Sequence, residues 1–280
     1  MLLAVLLLAC RTGWAQVLYE VSGNGLKDKS YILGSNRLLA SGSLTAVTGA
    51  FRAYNQSERV VGEIVIDEES AMSVMMRYGR AETPIDELLD FEDQMLVDSI
   101  LRKDIGLGLQ AVMMFKPAII ASLWLGAVGQ TLYPRGNDDE PLDSYFQKMA
   151  VIEGKEVRGL ETMEEQIALL LHGSEETQAR ELVTLMRDGK DKLRIDVDAL
   201  TKMYTEGDLE GVAAVEEREY TEAARLELLD GRNEKWLGKL VEMMKEKRCL
   251  VVIGAMNMAG NKGLIRALRA KGYIVKAVNE

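Results

Sequence analysis

The chain alternates between short aliphatic runs, which predict strands, and longer amphipathic stretches with a helical period. A glycine-containing turn at 23–29 predicts that the first two runs form a hairpin. Helices are predicted over 86–105 and 107–130 and across most of 190–247. The predicted strands are VLYEVS (17–22), SYILG (30–34), RVVGEIVID (59–67), KEVRGLE (155–161), CLVVIGA (249–255) and YIVKAV (273–278).

Strands thus cluster at both ends and in the middle of the sequence, with helices between them. This order predicts an α/β fold whose mixed central sheet carries a large, mostly helical insertion, about 69–150. No low-complexity linker divides residues 17–280, which we interpret as a single domain. From 105 to 133 only Lys116 is charged. A membrane span is one interpretation of that stretch, but Lys116-Pro117 splits it, and a buried helical hairpin is favoured.

Polar or charged residues follow four of the predicted strands. Arg37 follows the run at 30–34, Glu63 lies in VVGEIVID, Glu161 ends KEVRGLE, and Asn257 follows CLVVIGA. Open α/β sheets bind ligands beyond the carboxyl ends of their strands. These four strand ends are therefore the candidate functional site.

Charge and composition exclude some partners. The formal net charge is −10, which opposes a nucleic-acid-binding role and provides no basic stripe for anionic lipid. The first residues, MLLAVLLLACRTGWAQ, predict a signal peptide over 1–15 with cleavage before Gln16. An alternative is a lipoprotein signal ending at Cys10, which would attach the protein to a membrane. Either interpretation predicts export to the periplasm or cell envelope.

Several segments together resemble the TraB/GumN family, which includes the TIKI metalloproteases. The resemblance implies a compact α/β fold of two related halves, each bringing one histidine to a shared pocket. In the TIKI branch that pocket is a divalent-metal site for peptide hydrolysis. The carboxylate positions match Glu63 and Glu161, and the arginine position matches Arg232. The segments are YILGSNR (31–37), VRGLETMEEQIALL (157–170), YTEGDLE (204–210), LLDGRNEKW (228–236) and VVIGAMNMAGNKGLIRALRAKGYIV (251–275).

The chain departs from the family pattern at both histidines. Arg37 stands at the first histidine position, Asn257 at the second, and Ser35 replaces the motif threonine. Arginine cannot ligate a metal, because it stays protonated and has no acceptor lone pair. At 4 Å and an effective dielectric of 20, a dication and a guanidinium repel by roughly 8 kcal/mol. The single histidine, His172, follows an apolar helix and is interpreted as a helix-end or surface residue.

We hypothesise that Arg37 replaces the metal electrostatically. Glu63 and Glu161 would otherwise be two converging carboxylates, and a guanidinium between them can donate hydrogen bonds to both. The alternative is that Arg37 points to solvent and the pocket has lost its function.

Two functions follow from these residues. The first is an exported, non-catalytic family member with no cofactor, whose remnant pocket binds a small ligand, a peptide or an envelope protein. In that case Ser35, Arg37 and Asn257 are the ligand-binding candidates. The second is a divergent metal-dependent hydrolase of the TIKI type with a divalent metal, whose catalytic residues would be Glu63, Glu161 and Arg232.

Overall fold

The computed structural model describes residues 17–36, 49–134, 140–219 and 222–278. Within these ranges the chain forms one six-stranded sheet with the spatial order β4-β3-β5-β2-β1-β6. The strands are β1 (Leu18–Ser22), β2 (Ser30–Ser35), β3 (Arg59–Gly62), β4 (Glu156–Gly159), β5 (Cys249–Gly254) and β6 (Ile274–Ala277).

The direction of the strands places the candidate site residues at one edge of the sheet. β1 runs antiparallel to β2 and β6, as the predicted hairpin requires, whereas β4, β3, β5 and β2 are mutually parallel. The register aligns Ser35 with Gly254 and Gly62 with Gly159, so the carboxyl ends of these four strands lie at one edge. The predicted α/β class with a mixed sheet is confirmed.

Helices fill the stretches between the strands, and those from α2 to α7 form the predicted helical insertion between β3 and β4. The helix α9 is kinked at Gly189, whose φ is 75°. The helices are α1 (Ala50–Gln56), α2 (Glu68–Tyr78), α3 (Ile85–Leu88), α4 (Phe91–Ile105), α5 (Leu109–Val112), α6 (Pro117–Leu132), α7 (Leu142–Ile152), α8 (Met163–Leu170), α9 (Glu175–Glu206), α10 (Leu209–Glu219), α11 (Glu222–Arg225), α12 (Gly231–Glu246), α13 (Ala255–Met258) and α14 (Leu264–Ala270), with a π-helical turn at Leu226–Asp230.

Apolar side chains pack into two separate cores. The larger lies against the sheet and contains the fully buried Phe146 and Trp236. The smaller lies among α4, α5, α6 and the first half of α9, where Trp124 and Leu182 are buried. The helical insertion therefore has a core of its own, shared with α9.

Several predicted elements are shorter than their sequence patterns suggested or are divided, and the two largest differences have a local cause. The strand predicted over 59–67 ends at Gly62, because the buried Gln147 side chain hydrogen-bonds the backbone that follows. Its amide Nε2 donates to the Ile64 carbonyl at 3.0 Å, and its Oε1 accepts from the Ile66 amide at 2.9 Å. The predicted helix 107–130 divides into α5 and α6, since Pro117 starts a new helix. Within the described ranges, none of the helices has the length and hydropathy needed to cross a membrane.

Candidate functional site

Glu63 and Glu161 lie side by side because β3 and β4 continue to pair just beyond their last strand residues. The Leu160 amide donates to the Gly62 carbonyl at 3.0 Å, and the Glu161 amide donates to the Glu63 carbonyl at 2.8 Å. Both carboxylates are nearly buried, with 11% of the Glu63 side chain and 6% of the Glu161 side chain exposed. The backbone thus fixes two acidic groups at the carboxyl edge of the sheet.

Arg232 reaches these carboxylates from the first turn of α12. The π-helical turn before it closes where the Gly231 amide bonds to the Leu226 carbonyl. A methyl group at Gly231 would lie 2.8 Å from that carbonyl oxygen, so the close turn favours glycine. Arg232 Nη1 also donates to the Leu228 carbonyl at 3.2 Å, which ties the guanidinium to the turn. π-helical turns recur at functional sites.

The Arg232 guanidinium bridges the two glutamates. Its Nη2 lies 2.8 Å from Glu63 Oε2 and 2.6 Å from Glu161 Oε1, and its Nε lies 3.2 Å from Glu161 Oε2. Only 14% of the arginine side chain is exposed. Burial alone would lower the pKa of Arg232, but the hydrogen bonds and charges of Glu161 and Glu63 outweigh it and raise that pKa. The group therefore holds a permanent cation between two carboxylates.

Gln166 and Trp236 complete this group, and sequence reasoning missed both. Gln166 Nε2 donates to Glu63 Oε2 at 2.9 Å and to Glu161 Oε1 at 3.2 Å, the same two oxygens that Arg232 Nη2 contacts. Trp236 Nε1 donates to Glu161 Oε2 at 3.1 Å. The guanidinium carbon of Arg232 lies 4.3 Å from the centroid of the Trp236 ring, which is a cation–π contact. The available signal for Trp236 was its i+4 spacing from Arg232, which places both on one face of α12.

A capping box explains why Gln166 points back at the strand ends. Thr162 accepts from the Glu165 amide, and the Glu165 side chain accepts from the Thr162 amide, so Thr162 caps α8 and the helix begins two residues after Glu161. Gln166 then lies in the first turn of that helix. The Thr-x-x-Glu spacing in the sequence could have identified the helix start, but not the direction of Gln166.

The remaining candidates lie around the end of β5. Ser35 and Asn257 are both buried, and Asn257 Nδ2 donates to Asn233 Oδ1 at 3.1 Å. A methyl group at Gly254 would lie 3.1 Å from Glu63 Oε1 and 3.5 Å from Asn257 Oδ1, so both oxygens face the same space. The Gly254 amide donates to Glu63 Oε1 at 2.9 Å. Asn257 therefore lies near Glu63.

Arg37 lies outside the described residues, so the bridge proposed for it stays a prediction. In the described part of the chain, both carboxylates are contacted by the cationic Arg232 and by the neutral Gln166.

A cavity of about 410 Å³ opens beside Glu161 and Arg232. Its walls come from α8 on one side and from the π-helical turn and α12 on the other. Lys239, one of its charged lining residues, donates through Nζ to the Leu160 carbonyl at 2.8 Å. The apolar residues in its lining are Leu160, Ala168, Leu169, Leu226 and Trp236. This size and mixed lining suit part of a small molecule or a peptide side chain.

Among the described residues, the side chains around Glu63 and Glu161 do not form a donor set that fits a transition-metal ion. Such ions are held in hydrolases by imidazole, thiolate or free carboxylate groups with one open position. Here both carboxylates bond to a fixed cation, and among the described residues no three His, Cys, Asp or Glu side chains are grouped to hold an ion. His172 lies just after α8, as predicted for a helix-end residue, and its Nδ1 hydrogen-bonds the Leu169 carbonyl at 3.0 Å.

The fold and site define an α/β protein whose mixed sheet holds two glutamates bridged by an arginine at its carboxyl edge. Residues 17–277 match the model of the TraB/PrgY/gumN family. The chain belongs to this family, as its sequence motifs predicted. No curated protein and no solved structure matches the chain.

Proposed function

We propose that this protein is a non-catalytic, ligand-binding member of the TraB/PrgY/gumN family. One observation carries the proposal: the Arg232 guanidinium lies within hydrogen-bonding distance of both Glu63 and Glu161. In this proposal the pocket holds no divalent ion, because Arg37 and Asn257 stand at the two histidine positions and Arg232 already pairs with both carboxylates. The protein then needs no cofactor, and its pocket recognises a ligand without cleaving it.

Electrostatics supports this assignment of Arg232. A dication entering between the glutamates would face the guanidinium at about 4 Å, where repulsion is roughly 8 kcal/mol at an effective dielectric of 20. Displacing the arginine instead would break its bonds to Glu63 and Glu161 and to the Leu228 carbonyl. Asn257 offers a carboxamide oxygen, which suits calcium better than zinc.

Metal binding and peptide hydrolysis test the non-catalytic assignment. Calorimetric titration of the purified protein with Zn²⁺, Mn²⁺ and Co²⁺ is expected to show no stoichiometric binding, and peptide substrates are expected to remain uncut. A double variant, Arg37→His with Asn257→His, is the matched comparison and tests whether the scaffold can still hold an ion. Stoichiometric metal in the unsubstituted protein, together with peptide cleavage, would instead establish the divergent hydrolase.

The cavity beside Arg232 is the proposed ligand site. A thermal-shift screen of small molecules and short peptides should give compounds that stabilise the protein, since a ligand bound only to the folded state raises its stability. Ala168→Trp fills the cavity and should abolish these shifts. Leu170→Trp, on the same helix but outside the cavity lining, should preserve them. Equal shifts in both variants would place the ligand elsewhere.

We also propose that the protein acts outside the cytoplasm, in the periplasm or cell envelope. This rests on the apolar N-terminal segment and its small residues before Gln16. An envelope protein or peptide is then an available partner, and membrane attachment requires lipidation at Cys10. Fractionation of cells expressing the full chain, with mass measurement of the mature N-terminus, distinguishes cleavage from lipidation.

A further inference from the structure

The outer edge of β4 is open in the described part of the chain. β4 is the last strand of the sheet and pairs there with β3 alone. The Leu160 amide donates to the Gly62 carbonyl, and alternate residues of a strand bond to the same neighbour. Arg158 therefore faces β3 with its backbone groups, and the N–H and C=O of Val157 face outward. An unpaired edge of this kind can accept another strand.

An apolar surface lies beside this edge. Val151 and Ile152, at the end of α7, are 70% and 84% exposed. With Val65 and Ile66 they border a groove of about 390 Å³ that Val157 also lines. An open strand edge and exposed aliphatic side chains thus occur together, and contiguous apolar surface of this kind marks interaction sites.

The charges on β4 are complementary to those on β4 of a second copy. Glu156 and Arg158 lie on the face opposite Val157, and the arginine Nε lies 2.6 Å from Glu156 Oε1. In an antiparallel pair centred on Val157, each Glu156 would lie opposite Arg158 of a second copy. The two Val157 residues would lie opposite each other and exchange both backbone hydrogen bonds. The edge is therefore complementary to itself, with opposite charges paired across the axis.

We propose that the protein forms a two-fold symmetric homodimer in which β4 of each copy pairs antiparallel with β4 of the other. The two sheets then join into one continuous sheet. The groove between α7 and residues 65–67 closes against the same surface of the second copy, which covers Val151 and Ile152. Such an isologous contact is the commonest symmetry of soluble homo-oligomers.

Sedimentation equilibrium of the full chain tests the dimer. The unsubstituted protein is expected to have twice the 31.1 kDa chain mass, less any removed signal. Ile152→Glu and Arg158→Glu should each raise the dimer dissociation constant at least about tenfold, since they bury a charge or oppose like charges. Ile195→Glu, at an exposed apolar position on α9, is the control and should remain dimeric. Urea unfolding verifies that each variant is folded.

A cysteine at position 157, on the two-fold axis of the proposed dimer, tests whether the two β4 strands pair there. Two Val157 residues in a hydrogen-bonded antiparallel pair have Cα atoms about 5.5 Å apart, within the range of a disulfide. In a Cys10→Ser background, Val157→Cys should therefore form an interchain disulfide on mild oxidation, and Ile195→Cys should not. A monomer at a concentration on the order of 0.1 mM, well above the Kd of a stable dimer, would overturn the proposal. So would a dimer unaffected by Ile152→Glu and Arg158→Glu.

Discussion

Replacing Arg232 with methionine removes the cation between Glu63 and Glu161 while keeping most of the side-chain volume. The arginine donates three hydrogen bonds to the carboxylates. All three side chains are nearly buried. Removing one partner of a buried ion pair costs about 3–5 kcal/mol, because the remaining buried charge loses its counter-ion. We therefore expect Arg232→Met to lower the free energy of unfolding by about 3–5 kcal/mol at neutral pH.

Urea denaturation, followed by circular dichroism and tryptophan fluorescence, measures this loss. Arg102→Met is the matched control, because Arg102 pairs with Asp98 at the surface of α4. Exposed pairs contribute only about 0.2–1 kcal/mol, so this control should change stability little. Adding Glu63→Gln and Glu161→Gln to Arg232→Met should restore most of the loss by removing both charges. If Arg232→Met proves as stable as Arg102→Met, the arginine does not bridge the glutamates.

Gly159 at the end of β4, Glu156 at the start of β4 and the buried Cys249 allow three further tests. Gly159→Ala should destabilise the protein by about 1–3 kcal/mol, because the new methyl group would lie 2.9 Å from the Glu161 carbonyl oxygen; Gly126→Ala, in open space on α6, should stabilise it slightly. The hydrogen bonds from Lys247 and other cations lower the pKa of Glu156 to about 2. Its stabilisation is therefore complete above the ordinary value of 4.5 and should be lost as the pH falls towards 2, an acid dependence that Glu156→Gln should remove in urea titrations. Burial raises the pKa of the Cys249 thiol to about 11, so a thiol reagent should label it only after unfolding, and rapid labelling of the native protein would contradict its buried position.

The sequence was sufficient to locate the edge of the sheet at which the site lies. Aliphatic runs ending in glycine marked the strands, and parallel strands place their carboxyl ends together. Glu63 and Glu161 each lie within two residues of a strand end, so the register brings them together. Arg232 was identified by its motif alone, because nothing in its helical context predicts which way it points.

The rest of the site depends on tertiary contacts without a sequence period. Gln147 ends β3 by bonding the backbone at Ile64 and Ile66, and it comes from a helix more than 80 residues away along the chain. Gln166 contacts both carboxylates because the capping box starts α8 two residues after Glu161. Polar side chains of this kind look like ordinary surface residues until the helices are placed.

Diffraction from crystals soaked in Zn²⁺ or Mn²⁺ at neutral pH, with anomalous data collected at the absorption edge of each metal, shows whether Arg232 or a metal ion lies between the two glutamates. We expect density for the Arg232 guanidinium between Glu63 and Glu161, with no anomalous peak within coordination distance of either carboxylate. An anomalous peak bound to both glutamates, with Arg232 displaced from between them, would contradict it.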